Sequence, residues 1–374
     1  MENPLVYFRQ YKDHRMDRGK EHKLEDIIAI TLSAVICGAE SWYDIAEFGK
    51  RKQEWLSTFL ELPSGIPSHD TFNRFYSLAD TAALEKCFGE WVSASANTAP
   101  GRVINIDGKC LRGSRKGEGD SFIHMVSAWC NSSNMVLGQQ KVYDKSNEIT
   151  AIPALLELLF IEGSTITIDA MGCQKDIAEK IVAGKADYIL AVKGNQGVLE
   201  DDLHEAFNHG CIADTYTSKP ELNHGRIETR TTHVIKDLDW VCKLQDWKKL
   251  YCIIIVCCKR IDKKSGKEER SERFYISSKK ATAQQFNDYI RSHWGIENML
   301  HWCLDVAFHE DISKKRTGES AQNFSLITKS ALNLMKNHQR DKKDSGGTKI
   351  SIKRKRLMAA WDNAYLADIL TGAE

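Results

Sequence analysis

The sequence predicts an α/β protein with a helical N-terminal part, and three observations predict it. Apolar residues recur at helical spacing up to about residue 98. From about residue 101 the texture turns to short β-branched runs. Those runs then interleave with helical segments in the order β-β-β-α-β-α-β. The composition is that of a globular chain: 374 residues, 42% hydrophobic and 28% charged. It excludes a disordered, collagen-like or coiled-coil protein, and the length accommodates two or three domains.

The N-terminal helices come first. Lys23-Leu24-Glu25-Asp26-Ile27-Ile28 opens a long apolar segment, and Trp42, Ile45, Ala46 and Phe48 follow at helical spacing with Gly49 as a stop. Residues 62 to 67, rich in proline and glycine, form a loop. Ser68 stands where it can cap the next helix, whose first turns carry Thr71, Asn73 and Arg74. A short helix after a tight turn fits a helix-turn-helix reader of DNA, and it also fits a bundle helix packed on the next domain.

Val103-Ile104-Asn105-Ile106-Asp107-Gly108 reads as the first strand. Residues 122 to 129 and 135 to 142 read as two more, joined by the hairpin loop Asn131-Ser132-Ser133-Asn134. A helix fits residues 148 to 160, and Thr165-Ile166-Thr167-Ile168-Asp169 is the fourth strand. Residues 175 to 183 are helical and 186 to 193 extended. A helix fits residues 198 to 210, and residues 211 to 280 form a second, β-rich block. Two helices follow, one long helix over about 283 to 308 and another over about 320 to 337.

Charge and cysteine content narrow the function classes. Lys+Arg number 52 and Asp+Glu 51, a formal net charge of +1, which argues against a uniformly basic nucleic-acid binder but not against a local basic surface. Residues 336 to 356 hold nine Lys/Arg and two Asp, a net of +7, which leaves −6 for the rest. Such a segment is either a solvated end or a DNA contact. The eleven cysteines include no Cys-x-x-Cys pair, so neither a structural zinc site nor a disulfide framework is expected. They read as reduced cysteines, mostly in the core, of a cytoplasmic protein. The N-terminus carries no secretory pattern. The longest apolar run, 27 to 39, falls short of the about 20 residues that span a bilayer, so no membrane partner is expected.

Two aspartates stand in equivalent settings. Asp107 ends Val-Ile-Asn-Ile-Asp and Asp169 ends Thr-Ile-Thr-Ile-Asp, each before a small residue, Gly108 or Ala170. Alternate strand residues share a face, so Asn105 lies with Asp107, and Thr167 with Asp169. Ligands of open α/β sheets gather at the carboxyl ends of strands. If the first and fourth strands are parallel neighbours, through a right-handed crossover over residues 148 to 160, both carboxylates meet there. Adjacent carboxylates repel unless protonated or metallated, and their oxygens suit Mg²⁺ or Mn²⁺. Taken singly, each aspartate reads as a strand-end cap; together they read as a metal site.

A third ligand is expected from the helix that carries His293, Glu297 and His301, which fall within roughly 80° of one face of an α-helix. Tyr289, Ile296, Leu300, Cys303 and Ala307 make the apolar stripe of that helix, and Glu297 lies at its edge. Two other readings of this face are a zinc site of its own, although zincins space their histidines as His-Glu-x-x-His, and a solvated polar surface. Trp294 and Trp302 read as core residues or as stacking platforms for a base.

Six motifs together carry a resemblance. They are Ile106-Asp107-Gly108-Lys109, Asp144-Lys-Ser-Asn-Glu148-Ile-Thr-Ala-Ile-Pro153, Asp169-Ala-Met-Gly-Cys-Gln174, Ala191-Val-Lys-Gly-Asn-Gln196, His224-Gly-Arg226 and His293-Trp-x-x-Glu297-Asn. In this order they resemble the H-repeat-associated transposases, bacterial insertion-sequence proteins of the DDE superfamily often found near Rhs elements. The likeness runs over about residues 22 to 370. It implies an RNase H-like mixed sheet flanked by helices, forming a DDE catalytic domain over residues 99 to 338 with a β-rich insertion at about 211 to 280. It also implies an associated helical domain over 1 to 98 that takes part in binding DNA ends, leaving residues 339 to 374 as a basic C-terminal tail. The triad it implies is Asp107, Asp169 and Glu297, and the choice of Glu297 over Asp305 rests on the family. The wider cut-and-paste group places Arg four residues before that glutamate and Lys seven after. Here those positions hold His293 and Leu304, with Arg291 out of register.

The chemistry the resemblance implies is metal-dependent transfer of phosphodiesters, with two Mg²⁺ (or Mn²⁺) ions serving the attacking and leaving oxygens. Water first frees a 3′ hydroxyl at an element end, and that hydroxyl then attacks target DNA. The partner is double-stranded DNA, both terminal repeats and target, engaged by a homo-oligomer at the nucleoid. Lys109, Arg112, Arg115 and Lys116 follow the first aspartate and are candidate phosphate contacts. So are Lys193 beside Asn195 and Gln196, the insertion residues His224, Arg226 and Arg230, and Arg291 with His293. Two other readings share the same residues: a degenerate or domesticated copy that holds DNA without transposing it, and a plain metal-dependent nuclease.

Overall fold

The computed structural model describes every residue except 17–19, 97–100, 116, 118–121, 143–147, 224, 339–349 and 373–374. The N-terminal helices are α1 (Pro4–Phe8), α2 (Leu24–Ile36), α3 (Trp42–Arg51), α4 (Gln53–Leu56), α5 (His69–Leu78) and α6 (Thr81–Ser95). Then come β1 (Val103–Leu111), β2 (Ile123–Cys130), β3 (Met135–Val142), α7 (Glu148–Leu158), β4 (Thr165–Ile168), α8 (Lys175–Ala183), β5 (Asp187–Val192) and α9 (Gly197–His209). The strands β6 (Ile212–Thr217), β7 (Glu221–Asn223), β8 (Arg226–Ile235), β9 (Cys252–Asp262) and β10 (Glu268–Ser277) precede α10 (Ala283–Gly295), α11 (Trp302–Phe308) and α12 (Ser320–Asn337). Two further helices, Ile352–Trp361 and Asn363–Thr371, close the described chain.

These elements form two compact units. The first comprises Met1–Thr98, Gly108–Lys145 and Glu297–Glu374; the second comprises Ala99–Asp107 and Ser146–Ile296. Strand β1 therefore begins in the second unit and ends in the first.

The second unit is a mixed sheet in the order β1-β4-β5-β10-β9-β8-β6, with β7 paired to β8. Strands β1, β4 and β5 are parallel, in the register Ile106↔Ile168 and Ile168↔Leu190. Parallel neighbours need crossovers, and α7 and α8 supply them. Central β4 is buried along its whole length, as its Thr-Ile-Thr-Ile run requires. From β5 outward the pairing turns antiparallel, with Phe274↔Val192 joining β10 to β5. The strands of the β-rich block expected at 211–280 extend the same sheet. Helix α10 lays Phe286 and Ile290 on Val234, Ile254 and Tyr275 of that extension. Its N-terminus is closed by a capping box between Thr282 and Gln285.

The first unit is built around α2 and α12. Helix α2 is buried from Asp26 to Ile36, as expected of a helix apolar on every side. Helix α12 buries polar residues as well, several of them tied to neighbouring backbone: Asn323 donates to the carbonyls of Tyr76 and Ala79, and Asn333 pairs with both backbone groups of Val136. Strands β2 and β3 form the expected hairpin beside β1, turning through Asn134 at φ 51°, a left-handed conformation that asparagine tolerates. Ser68 caps α5 by accepting from the Thr71 amide.

Three expectations fail. The helix expected over 283–308 is interrupted by a π-helical turn, Ile296–His301, whose i→i+5 bonding underwinds the backbone. Trp294 and Trp302 are 46% and 61% exposed, so neither is a core residue. The basic C-terminal tail is no tail over Ile352–Trp361 and Asn363–Thr371. Lys355 and Arg356 are buried there, Lys355 donating to the Met335 carbonyl and Arg356 to those of Val35 and Ala307. The remaining basic residues of 339–349 lie outside the described residues.

Candidate active site

Asp107 and Asp169 lie one residue beyond the last paired positions of two parallel neighbours, after Ile106↔Ile168. The face they share begins one turn of the pleat earlier, with the cross-strand partners Asn105 and Thr167. Both are buried and bonded to each other: the Thr167 hydroxyl donates to Asn105 Oδ1 at 2.8 Å. Its proton is thereby committed, so His293 Nδ1, 2.8 Å away, is the donor to Thr167 Oγ1. Asn105 Nδ2 donates to the Ser292 carbonyl at 3.0 Å. The end of α10 is therefore tied by two hydrogen bonds to the polar face that leads into the two aspartates, and a third joins the two strands of that face.

The loop after β4 is braced from both sides. Asp169 Oδ1 accepts from the amides of Met171 and Gly172 at 3.1 and 3.3 Å, which orients the carboxylate. A Cβ on Gly172 would stand 2.3 Å from Ile168 Cγ2 and 3.0 Å from Ile152 Cδ1, so this turn packs onto the sheet only without a side chain. From the end of β5, Asn195 donates to the Ala170 carbonyl and Gln196 to that of Cys173. Burial and then the charge of Asp169 raise the pKa of Glu148 at the start of α7. Burial and Asp169 likewise push the Cys173 thiol up to about 12. The field at this end of the strands is negative.

In the first unit, Glu297 is the exposed second residue of the π-helical turn, and His301 Nδ1 lies 3.7 Å from its Oε2. Lys109 sits among three carboxylates. Its Nζ bonds Asp305, lies 3.0 Å from Glu310 Oε2 and lies 3.5 Å from Asp311 Oδ1. Burial works against the charge on Lys109, but Glu310 and Asp305 outweigh it and its pKa is raised. Glu310, fully enclosed, is held below its ordinary range by Lys109 and Lys329 against the effect of burial. Lys109, expected as a candidate phosphate contact, is 11% exposed and engaged by these carboxylates.

The comparisons bear on what such a site does. Residues 98–334 match the family model described as the transposase DDE domain, and residues 5–92 match its associated domain. "Putative transposase YncI" of Escherichia coli O157:H7 is 44% identical over 98% of this chain and 94% of its own. "H repeat-associated putative transposase YhhI" of E. coli K12 is 41% identical over 96% of each. This chain belongs to the transposase DDE family. It is a DDE-type transposase, and the α/β fold with a mixed sheet is the one the resemblance implied. A chain from the "piggyBac transposase synaptic complex with hairpin DNA" covers 99% of this chain and 81% of that one at 11% identity and a TM-score of 0.48, too distant a likeness to carry an argument.

Membership of this family implies that the transposase uses a divalent metal. The donors fit one: the aspartates at the strand ends offer hard oxygens, and a cation there would relieve the field that raises Glu148. The expected DNA contacts divide. Arg112 is 76% exposed, 3.6 Å from Asp311. Lys193 and Arg226 are exposed, Lys193 at the end of β5 and Arg226 at the start of β8. Arg291 is ion-paired with Glu221, and Arg230 with Glu228. Asn195 and His293 hold the site's backbone and strands, as described above. Lys116 and His224 lie outside the described residues. Leu304, where the wider group has lysine, is buried. Sequence reasoning weighed Asp305 only as an alternative to Glu297 and assigned no role to Glu310 and Asp311. Their only signal was a cluster of acids eight to fourteen residues, about two to four helical turns, beyond Glu297.

Proposed function

We propose that this transposase catalyses metal-dependent hydrolysis and strand transfer of phosphodiesters at the ends of an insertion-sequence-like element, with Asp107, Asp169 and Glu297 as its catalytic carboxylates. The observation that carries the reading is the placement of Asp107 and Asp169 side by side, each one residue past the end of the parallel pairing between β1 and β4. Two Mg²⁺ (or Mn²⁺) ions held by these carboxylates would supply Lewis acidity to the phosphodiester and acidify the attacking hydroxyl. The chain's own residues do the rest. The Met171 and Gly172 amides fix Asp169, and the Asn105–Thr167–His293 chain fixes the end of the helix that leads to Glu297.

Two displacements follow at one site. Water attacks the phosphorus, the P–O3′ bond at the element end breaks, and a 3′ hydroxyl is released. That hydroxyl then attacks a target phosphodiester, forming a new P–O bond as the target's own 3′ oxygen departs. The substrate is double-stranded DNA. Arg112, Lys193 and Arg226 remain the candidate phosphate contacts, and residues 1–98 the candidate reader of element ends. Joining two ends in concert calls for a homo-oligomer, acting in the cytoplasm at the nucleoid.

The test is to incubate the purified chain with Mg²⁺ and labelled duplexes made from the ends flanking its gene. Joined products are the expected result. Cleavage without joining would make it a nuclease, and bound, uncut DNA a holding protein. Asp107→Ala should reduce cleavage to background; cleavage surviving that change would overturn the assigned triad.

A further inference from the structure

We propose that Lys109 is a positioning residue for this reaction, clamping the end of β1 to the helical segment that starts at Glu297. The inference rests on the reading of Asp107 and Glu297 as metal ligands. Lys109 follows Asp107 by two residues on the same strand, so its backbone moves with that aspartate. Its side chain, 11% exposed, bonds Asp305, eight residues or about two helical turns after Glu297. It also reaches Glu310 and Asp311 in the short turn that follows α11.

That turn is anchored independently. Glu310 Oε1 accepts from Ser325 Oγ of α12 at 2.8 Å. Gly113, just past β1, lies so close to Ser313 that a Cβ would stand 2.2 Å from the Ser313 carbonyl oxygen. Arg316 Nε donates to the Gly113 carbonyl at 2.9 Å. The strand end and the Glu297 segment therefore meet through a buried cation, a backbone contact and a guanidinium. The lysine is the member of the set nearest Asp107 in sequence, and its partner Asp305 lies nearest Glu297. Groups that orient metal ligands from behind typically govern metal affinity by 10–100-fold. Binding DNA with Lys109 would require stripping three carboxylates from it.

The experiment uses the full chain with Mn²⁺ alone, free Mn²⁺ being counted by electron paramagnetic resonance. Duplex binding in EDTA is measured in parallel at several salt concentrations. Asp305→Asn and Lys109→Met should each weaken Mn²⁺ binding about tenfold, Lys109→Arg should recover most of that loss, and DNA affinity in EDTA should not move. If Lys109→Met does not fold, Asp305→Asn and Lys109→Arg decide alone, because Asp305 is part-exposed and arginine keeps the charge. Unchanged Mn²⁺ binding together with weaker DNA binding and a shallower salt slope would overturn the proposal and make Lys109 a phosphate contact. Asp107→Asn separates the two layers. If it leaves Mn²⁺ binding intact, the metal-ligand reading fails and the clamp with it. If Mn²⁺ binding responds to Asp107→Asn but not to Asp305→Asn, only the clamp fails.

Discussion

Glu85 shows how a single carboxyl can make folding of this transposase depend on pH. It is buried on α6 with Gln322 and Gln139 as hydrogen-bond donors to its Oε1, and Lys329 of α12 donates to Gln139 in turn. Burial pushes its pKa up to about 7 and lowers that of Lys329 to about 8. A carboxyl whose pKa is higher folded than unfolded binds its proton more tightly in the folded state. Its stabilisation is complete below about pH 4.5 and is lost as pH rises through 7. Lys329, shifted downward, acts in a different window, above pH 8. Urea unfolding of wild type should lose on the order of 3 kcal/mol between pH 4.5 and 7.5 through this group. Glu85→Gln, which keeps the amide partners and cannot ionise, should flatten that decline. An equal decline in both proteins would place the proton elsewhere. None of this was legible in the sequence, where Glu85 is one of two acids on the helix, with Glu90. Asn105 and Thr167 were legible as far as the face they share with the aspartates. Their bonds to Ser292 and His293 were not, since these join positions well over a hundred residues apart.

The interrupted helix belongs to the next scale. Its apolar stripe was readable by period: Ile296, Leu300, Cys303 and Ala307 are all buried. So were the β2–β3 hairpin and α12, whose patterns are local. The π-helical turn was not readable, because nothing in Ile-Glu-Asn-Met-Leu-His demands i→i+5 bonding. Its flanks are held by partners distant in sequence: Ser292 and His293 are bonded to Asn105 and Thr167 before it, and Asp305 to Lys109 after it. The pairing of β10 with β5 escaped for a similar reason, since partner choice in a sheet is non-local. Deleting Asn298 should convert the turn to regular α-helix and rotate Glu297 relative to one attachment by roughly 100°. The expected outcome is a chain with wild-type far-ultraviolet circular dichroism and no cleavage of labelled element ends. Retained cleavage would mean that the turn does not set the position of Glu297.

At the scale of the whole molecule, a net charge of +1 conceals a +7 segment over residues 336–356, and the count cannot say whether those cations serve DNA or the fold. The structure divides them. Lys353 and Arg354 are exposed on the helix Ile352–Trp361, while Lys355 and Arg356 on the same helix are buried. Arg356 lies over the Phe308 ring at 4.6 Å and caps the carbonyls of Val35 and Ala307, so it joins this helix to the ends of α2 and α11. Its guanidinium is committed to backbone oxygens, and burial lowers its pKa. Arg356→Met should therefore cost about 2–5 kcal/mol, the penalty for removing the buried guanidinium's hydrogen bonds to the Ala307 and Val35 carbonyls, of which Val35 keeps a second donor, the Gly38 amide, seen as a lower urea midpoint with no direct effect on the salt dependence of DNA binding. The double substitution Lys353→Ala, Arg354→Ala should leave the midpoint within about 0.5 kcal/mol. If these exposed cations meet phosphates, it should also lower the salt slope by about two. A stable Arg356→Met chain with weakened DNA binding would reverse this division, returning the buried arginine to the role of a DNA contact.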